Sequence, residues 1–288
     1  MMNKNPYSRW TDKIPLLVKM LWRESHDFLT KTPEKKFTTE ILNNNKTIVI
    51  LGSVPHEEKV KLLQRQYPNK QFHFVSFIAD DESKSTFRKN KQPINSKTKI
   101  PNVKIHVLGL FDHTIIDLTT GKILKIAKLL ELLDNIPNDS KTVLAFNCNA
   151  GKGRSVVGTA AWLMYKNKMP LLNAMQLITE KRRVAETIKG ANSDTHRLLN
   201  PQATGYLGYI FIYLLNTDIQ NKNLGKDSLL SNSIKEIKAA KKIDKYEEYL
   251  HNSLSPVLAM PLNEMETKER ENLTLCFNNV MAYLKIKL

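Results

Sequence analysis

The sequence predicts an α/β fold, with a central, mostly parallel sheet flanked by helices and extra helices at both ends. Three observations predict it. Short apolar runs rich in Ile, Val and Phe are each closed by a turn signal; stretches of helical periodicity separate them; and one such run passes through a glycine-containing loop directly into an apolar helix.

In chain order, Ile14, Leu17, Val18, Leu21 and Trp22, with Lys19, Arg23 and Glu24 between them, have helical spacing, so residues 14–29 are expected to pack as a helix. Strands are expected at 47–51, ending at Gly52, at 72–78, at 103–108, ending at Gly109, and at 142–146. Helical patterns at 57–65 and 122–133 lie between them, and the polar stretch 79–101, rich in Lys, Ser and Asn, reads as a long surface loop. Three helices are expected after the core, at 155–165, 171–183 and 206–215. This gives a helical N-terminal extension over 1–46, a core over 47–215, a polar linker over 216–227 and a basic helical extension over 228–288.

Composition narrows the function classes. Hydrophobic content of 41% suits a globular chain, and no apolar run reaches the roughly 18 residues that cross a bilayer. Asp12, Lys13 and Lys19 interrupt the first segment, so no signal peptide is expected, and two distant cysteines, Cys148 and Cys276, read as reduced thiols of a cytoplasmic protein. Forty-four Lys and Arg against 28 Asp and Glu give a net charge of +16, which draws anionic partners: phosphorylated protein, phosphoinositide or an anionic membrane surface. Nucleic acid is disfavoured, because no zinc-ligand spacing, RNA-recognition strand or helix-turn-helix accompanies the charge.

The chemistry concentrates in Val143-Leu144-Ala145-Phe146-Asn147-Cys148-Asn149-Ala150-Gly151-Lys152-Gly153-Arg154-Ser155. A strand, a loop and a helix in that order make an anion site, because unsatisfied N–H groups at the helix start converge on the loop. Gly151 and Gly153 allow the backbone to turn its amides inward. Cys148 at the mouth of such a loop is the candidate nucleophile, favoured as thiolate by the surrounding N–H dipoles. Arg154 offers a planar fork for two phosphate oxygens, and Ser155 can donate a hydrogen bond to the sulfur. Asn149, Ala150, Gly151, Lys152 and Gly153 are the expected phosphate-binding residues.

This Cys-x5-Arg-Ser arrangement resembles the signature of the cysteine-based protein tyrosine phosphatase superfamily, in its dual-specificity branch. Ile48-Val49-Ile50-Leu51-Gly52-Ser53-Val54-Pro55 is similar to the early strand and turn of that branch, and the resemblance spans about 47–215. It implies a phosphocysteine intermediate, no metal and no organic cofactor. It also implies an acid on an upstream loop: Phe111-Asp112-His113 resembles the family's Trp-Pro-Asp-His segment, which makes Asp112 the general acid and, in the second step, the base. Asp117 is the competing carboxylate. Gln202, after Asn200 and Pro201, resembles a glutamine that positions the hydrolytic water in some members, with a solvated loop amide as the alternative.

The sequence also departs from the family. Asn147 stands where a His usually precedes the Cys, Val156 where a Gly usually follows the Ser, and Leu110 and Phe111 where Trp and Pro usually lie. These departures keep a phosphate-binding module without turnover in view, and the charge does the same for an RNA-end phosphatase. His106, His113 and His196 show no metal-ligand spacing and read as surface or loop histidines. Cys276 reads as a buried helix residue, and Lys122, Lys125 and Lys128 as a solvated helix face.

Overall fold

The structure, a computed structural model of the chain, describes residues 38–43, 46–78, 93–111, 114–223, 225–239, 252 and 262–287. The helix expected over 14–29, most of the loop expected over 79–101, and Asp112 with His113 lie outside the described residues.

Five strands form one sheet: β1 (Thr38–Leu42), β2 (Ile48–Ser53), β3 (Gln71–Ser76), β4 (Val103–Val107) and β5 (Thr142–Cys148), in spatial order β1-β2-β5-β3-β4. Only β1 runs antiparallel, so the sheet is mostly parallel, as the alternation of elements predicts. The central strands read as continuous apolar runs because both of their faces are covered; all seven residues of β5 are buried. Ile50 and Phe74 both pair with Ala145, which fixes the register of the three inner strands. The edge strand β1 falls in the stretch expected to be helical. Its Thr-Thr-Glu start leaves much of it half-exposed, and a bulge between Glu40 and Leu42 interrupts the pairing, a common feature of sheet edges.

Seven α-helices are described: α1 (Glu57–Gln66), α2 (Ile126–Asp134), α3 (Arg154–Asn167), α4 (Leu171–Lys181), α5 (Pro201–Gln220), α6 (Leu229–Ala239) and α7 (Thr267–Lys287), with a 3-10 turn at Leu262–Glu264. In α1, Glu57 and Glu58 sit in the first turn and Arg65 in the last, complementing the helix dipole. Helix α3 packs on β5, α4 and α5 and is buried from Arg154 to Met164. Gly158 permits this approach. A Cβ there would lie 2.3 Å from Cζ of Phe77 and 2.8 Å from Cδ1 of Phe146.

Helix α5 begins on a cap, with the Asn200 side chain accepting from Ala203 N at 2.7 Å and Pro201 at the first helical position. It continues to Gln220, so the first residues of the expected linker are helical. The polar residues there looked solvated but serve buried partners. Asn216 Nδ2 donates to Cys276 Sγ at 3.3 Å, and Asp218 Oδ2 accepts from Leu230 N at 3.0 Å, at the start of α6. Helix α7 packs on α5 through Leu273, Cys276, Val280 and Leu284, all buried. Cys276 is thus the buried helix residue expected, and burial pushes its thiol up from the ordinary value.

Two sequence readings are corrected here. Lys122, Lys125 and Lys128 are exposed as expected, but α2 starts only at Ile126, so of the three only Lys128 lies on a helix. They bind the Asn263 carbonyl at 3.4 Å, Glu266 at 2.8 Å and Asp117 at 2.6 Å respectively. His106 is a strand residue, not a loop one: paired across β3 and β4, it stacks on His73 at 5.3 Å between centroids, with a 3.1 Å contact between ring nitrogens. No helix among the described residues is long and apolar enough to cross a membrane.

The His73 imidazole is held neutral. Burial, then the neighbouring His106 and Lys104, push its pKa down from 6.5 to about 4, against a weaker pull upward from Asp139. An unfolded imidazole binds a proton that the folded one refuses, so this site makes stability fall as pH drops from about 6.5 to about 4. His73→Phe, which keeps a stacked ring, is expected to flatten that part of a plot of melting temperature against pH. Parallel plots for the two proteins would count against it.

Candidate active site

Strand β5 delivers Cys148 to the carboxyl end of the central strand, where neighbouring crossovers part, the usual position for a ligand in an open α/β sheet. Its Sγ lies 3.1 Å from the Ser155 hydroxyl, and both residues are buried. The chain then turns through residues 149–153 and enters α3 at Arg154 with no side-chain cap on the helix start. Uncapped N–H groups at such a terminus are available to an anion.

The carbonyls of this turn are held by groups outside it. Val54 N donates to Cys148 O at 3.1 Å, Glu186 N to Lys152 O at 2.9 Å, and Val156 N to Gly153 O at 2.8 Å. The guanidinium of Arg182, buried just past the end of α4, donates from Nε to Gly151 O at 2.9 Å and from Nη2 to Ala150 O at 3.5 Å. A planar trans peptide points its N–H opposite to its carbonyl, so fixing the carbonyls outward turns the following amides toward the hollow of the turn. Gly151 is required for this path. Its φ is +65°, and a Cβ would fall 2.4 Å from the Gly52 carbonyl carbon and 2.8 Å from Ser53 N.

Arg154 is 5% exposed, and its Nη1 donates to Phe77 O at 3.1 Å and to Leu110 O at 2.9 Å. It therefore ties the start of α3 to the end of β3 and to the segment that leads into Asp112. Beyond Leu110, Phe111 N donates to Ile116 O at 3.0 Å, and Thr114 N to Phe111 O at 3.1 Å. Phe111 itself is 45% exposed.

The remaining candidates fall as follows. Asp117 is a buried turn residue: its Oδ1 accepts from Thr119 N at 2.8 Å and its Oδ2 pairs with Lys128 at 2.6 Å. Burial pushes its carboxyl up, but the hydrogen bonds and charge of Lys128 and the Thr119 amide outweigh this and hold it below the ordinary carboxylate value. Asn149 and Ala150 are exposed, and Lys152 and Gly153 are half-buried at the mouth of the turn. Gln202 has both ends of its amide engaged, with Oε1 accepting from Ile115 N at 3.0 Å and Nε2 donating to Glu264 Oε2. Asn147 donates to Ala145 O at 2.9 Å, while its buried Oδ1 finds no hydrogen-bond partner among the described residues.

Arg182 escaped the sequence reading. It stands beside Arg183 at the end of an amphipathic helix, where a basic residue ordinarily means a solvated dipole partner, and its acceptors are distant in sequence: Gly151, Ala150 and the Thr39 hydroxyl at 3.0 Å. Desolvation lowers its pKa, while the nearby sulfur of Cys148 opposes the shift. Among the described residues, no three His, Cys, Asp or Glu side chains group as metal ligands.

Neither protein-family models nor curated proteins match the sequence. Solved structures of dual-specificity and related phosphatases are similar to it over about half its length. PTPMT1 in complex with PI(5)P aligns with a TM-score of 0.40 and 16% identity, over 52% of this chain and 86% of that one. The human tyrosine phosphatase-like serine/threonine/tyrosine-interacting protein aligns at 0.36 and 17%, over 55% and 92%. Human DUSP28 aligns at 0.35 and 16%, over 56% and 92%.

Arg182→Ala leaves two loop carbonyls without their charged donor and is expected to lower unfolding free energy by about 2 kcal/mol. Gly151→Ala, at a positive φ and against backbone atoms, is expected to lower it by more than about 1 kcal/mol. Urea denaturation checks both; midpoints equal to that of the native chain would contradict the bracing described here.

Proposed function

We propose that this chain is a cysteine-dependent phosphatase that hydrolyses phosphate monoesters through a phosphocysteine intermediate. The observation that carries the reading is the buried Cys148 Sγ, 3.1 Å from the Ser155 hydroxyl, at the mouth of a turn whose carbonyls are drawn outward and which runs into an uncapped helix start. A phosphoryl group suits that hollow, and a thiolate suits attack on it.

The Cys148 thiolate attacks phosphorus opposite the ester oxygen. The bond to that oxygen breaks, and Asp112 supplies the proton the leaving group needs. The amides of residues 149–154 and the fork of Arg154 hold the equatorial oxygens as their charge develops. In the second step water attacks phosphorus, the Asp112 carboxylate takes its proton, and the S–P bond breaks with its electron pair returning to sulfur. The Ser155 hydroxyl donates to that sulfur and stabilises it as leaving group. No metal or organic cofactor enters either step. The net charge of +16 favours phosphorylated protein, on tyrosine or with dual specificity, or phosphoinositide at an anionic surface.

A second reading, a phosphate-binding module without turnover, is favoured by Asn147. The residue before the nucleophile spends its amide on Ala145 O two residues back rather than on the turn.

Phosphate release from phosphotyrosine peptides, phosphoinositides and 5′-triphosphate RNA, without added metal, tests both readings. Cys148→Ser is expected to abolish release and Asp112→Ala to slow it by about a hundredfold or more. Release by the native chain that does not exceed that of Cys148→Ser, with phosphopeptide or lipid binding retained, would replace the enzyme with the binding module.

A further inference from the structure

The segment that follows α4 is bound to the phosphate loop along its length. Arg182 holds the Gly151 and Ala150 carbonyls, and Glu186 N donates to Lys152 O at 2.9 Å. Directly after Glu186 the segment is tied to its own return: Thr187 N donates to Arg197 O at 2.9 Å, and Leu199 N to Thr187 O at 2.7 Å. Leu199 also reaches the loop, its Cδ2 being 3.9 Å from the place a Cβ on Gly153 would occupy. The Glu186 carboxylate is closer to that place, with Oε2 at 2.9 Å. A negative charge therefore rests against the backbone of the loop that offers its amides to phosphate.

The Glu186 side chain is 16% exposed, and among the described residues its charged partner is Arg197, whose Nε lies 3.7 Å from Oε1 and whose side chain is 78% exposed. That distance makes an ion pair and not a hydrogen bond, and a pair with so exposed a member is neutralised only in part. The other charges of the segment, Arg183, Lys189 and Asp194, are exposed, where water and salt screen them. A carboxylate sheltered against the loop is screened much less. Lys152 and Arg154 draw a phosphoryl group to the loop, and Glu186 opposes them.

We propose that Glu186 and Arg197 are specificity-determining residues that set how much negative charge the site accepts around the phosphoryl group: Glu186 limits it, and Arg197 offsets Glu186. The substrate class is then a phosphate monoester whose flanking groups are neutral or basic, in preference to one with a second anionic group beside the phosphate. The inference rests on the phosphatase reading and narrows its substrates. Neither side chain takes part in making or breaking bonds, so the effect falls on KM and leaves kcat alone.

The test measures calorimetric binding of inorganic phosphate to the native chain, Glu186→Gln and Arg197→Gln, and hydrolysis of a phosphotyrosine peptide with Ala or with Asp beside the phosphotyrosine. Glu186→Gln is expected to bind phosphate about fivefold more tightly and Arg197→Gln about threefold more weakly, both differences shrinking in about 1 M salt. The native chain is expected to favour the Ala peptide by about threefold in kcat/KM, through KM, and Glu186→Gln to lose most of that preference. Damage to the loop would weaken binding in both variants, so the opposite signs separate a charge effect from a structural one. Any other pattern of binding, or a preference between peptides that Glu186→Gln leaves intact, overturns the inference. If native phosphate release does not exceed that of Cys148→Ser, the phosphatase reading fails instead. Phosphate binding then decides the pair alone: opposite shifts keep it, and any other result overturns it.

Discussion

The arrangement depends on one demand: the carbonyls of a tight turn must be satisfied away from its hollow. Five peptide units between Cys148 and α3 cannot bond one another without closing the space between them. Their donors are supplied from four places in the sequence: Val54 beyond β2, Arg182 after α4, Glu186 in the segment that follows, and the first turn of α3 itself. Strand order brings these together. Placing β5 between β2 and β3 sets the turn beside the end of β2 and leaves α3 to rise against the sheet.

The same demand explains why α3 is so deeply buried. A helix whose first turn lines an anion site must not rock, and this one is covered by the sheet on one side and by α4 and α5 on the other. Gly158 brings it onto Phe77 and Phe146, the residues that follow β3 and lie within β5. Carbonyls of the same region, at Phe77 and Leu110, hold Arg154. Core packing and site geometry here are a single set of contacts.

Much of this was legible in the sequence because it depends on local pattern. Continuous apolar runs announced β2, β3 and β5, and the run from Cys148 to Ser155 announced the turn. What escaped notice depends on partners far along the chain. Strand β1 carries Thr38, Thr39 and Glu40, whose polarity suits an edge but resembles a loop. Asn216 and Asp218 read as linker residues because nothing near them in sequence reveals Cys276 or the start of α6. Lys122, Lys125 and Lys128 have helical spacing, yet they are used one at a time by a carbonyl and two carboxylates. Arg182 is the costliest omission, since a helix-terminal arginine gives no local hint that it faces inward.

The meeting of Gly151 with Gly52 has a further consequence. The backbone of Gly151 lies against that of Gly52 and Ser53, so Gly151 cannot acquire a Cβ unless the end of β2 and the phosphate loop move apart. Moving apart would carry Val54 away from the Cys148 carbonyl it now holds. The end of a strand that bears no reacting group therefore sets a limit on the loop beside it. Drift at the end of an inner strand is bounded by chemistry on the strand beside it.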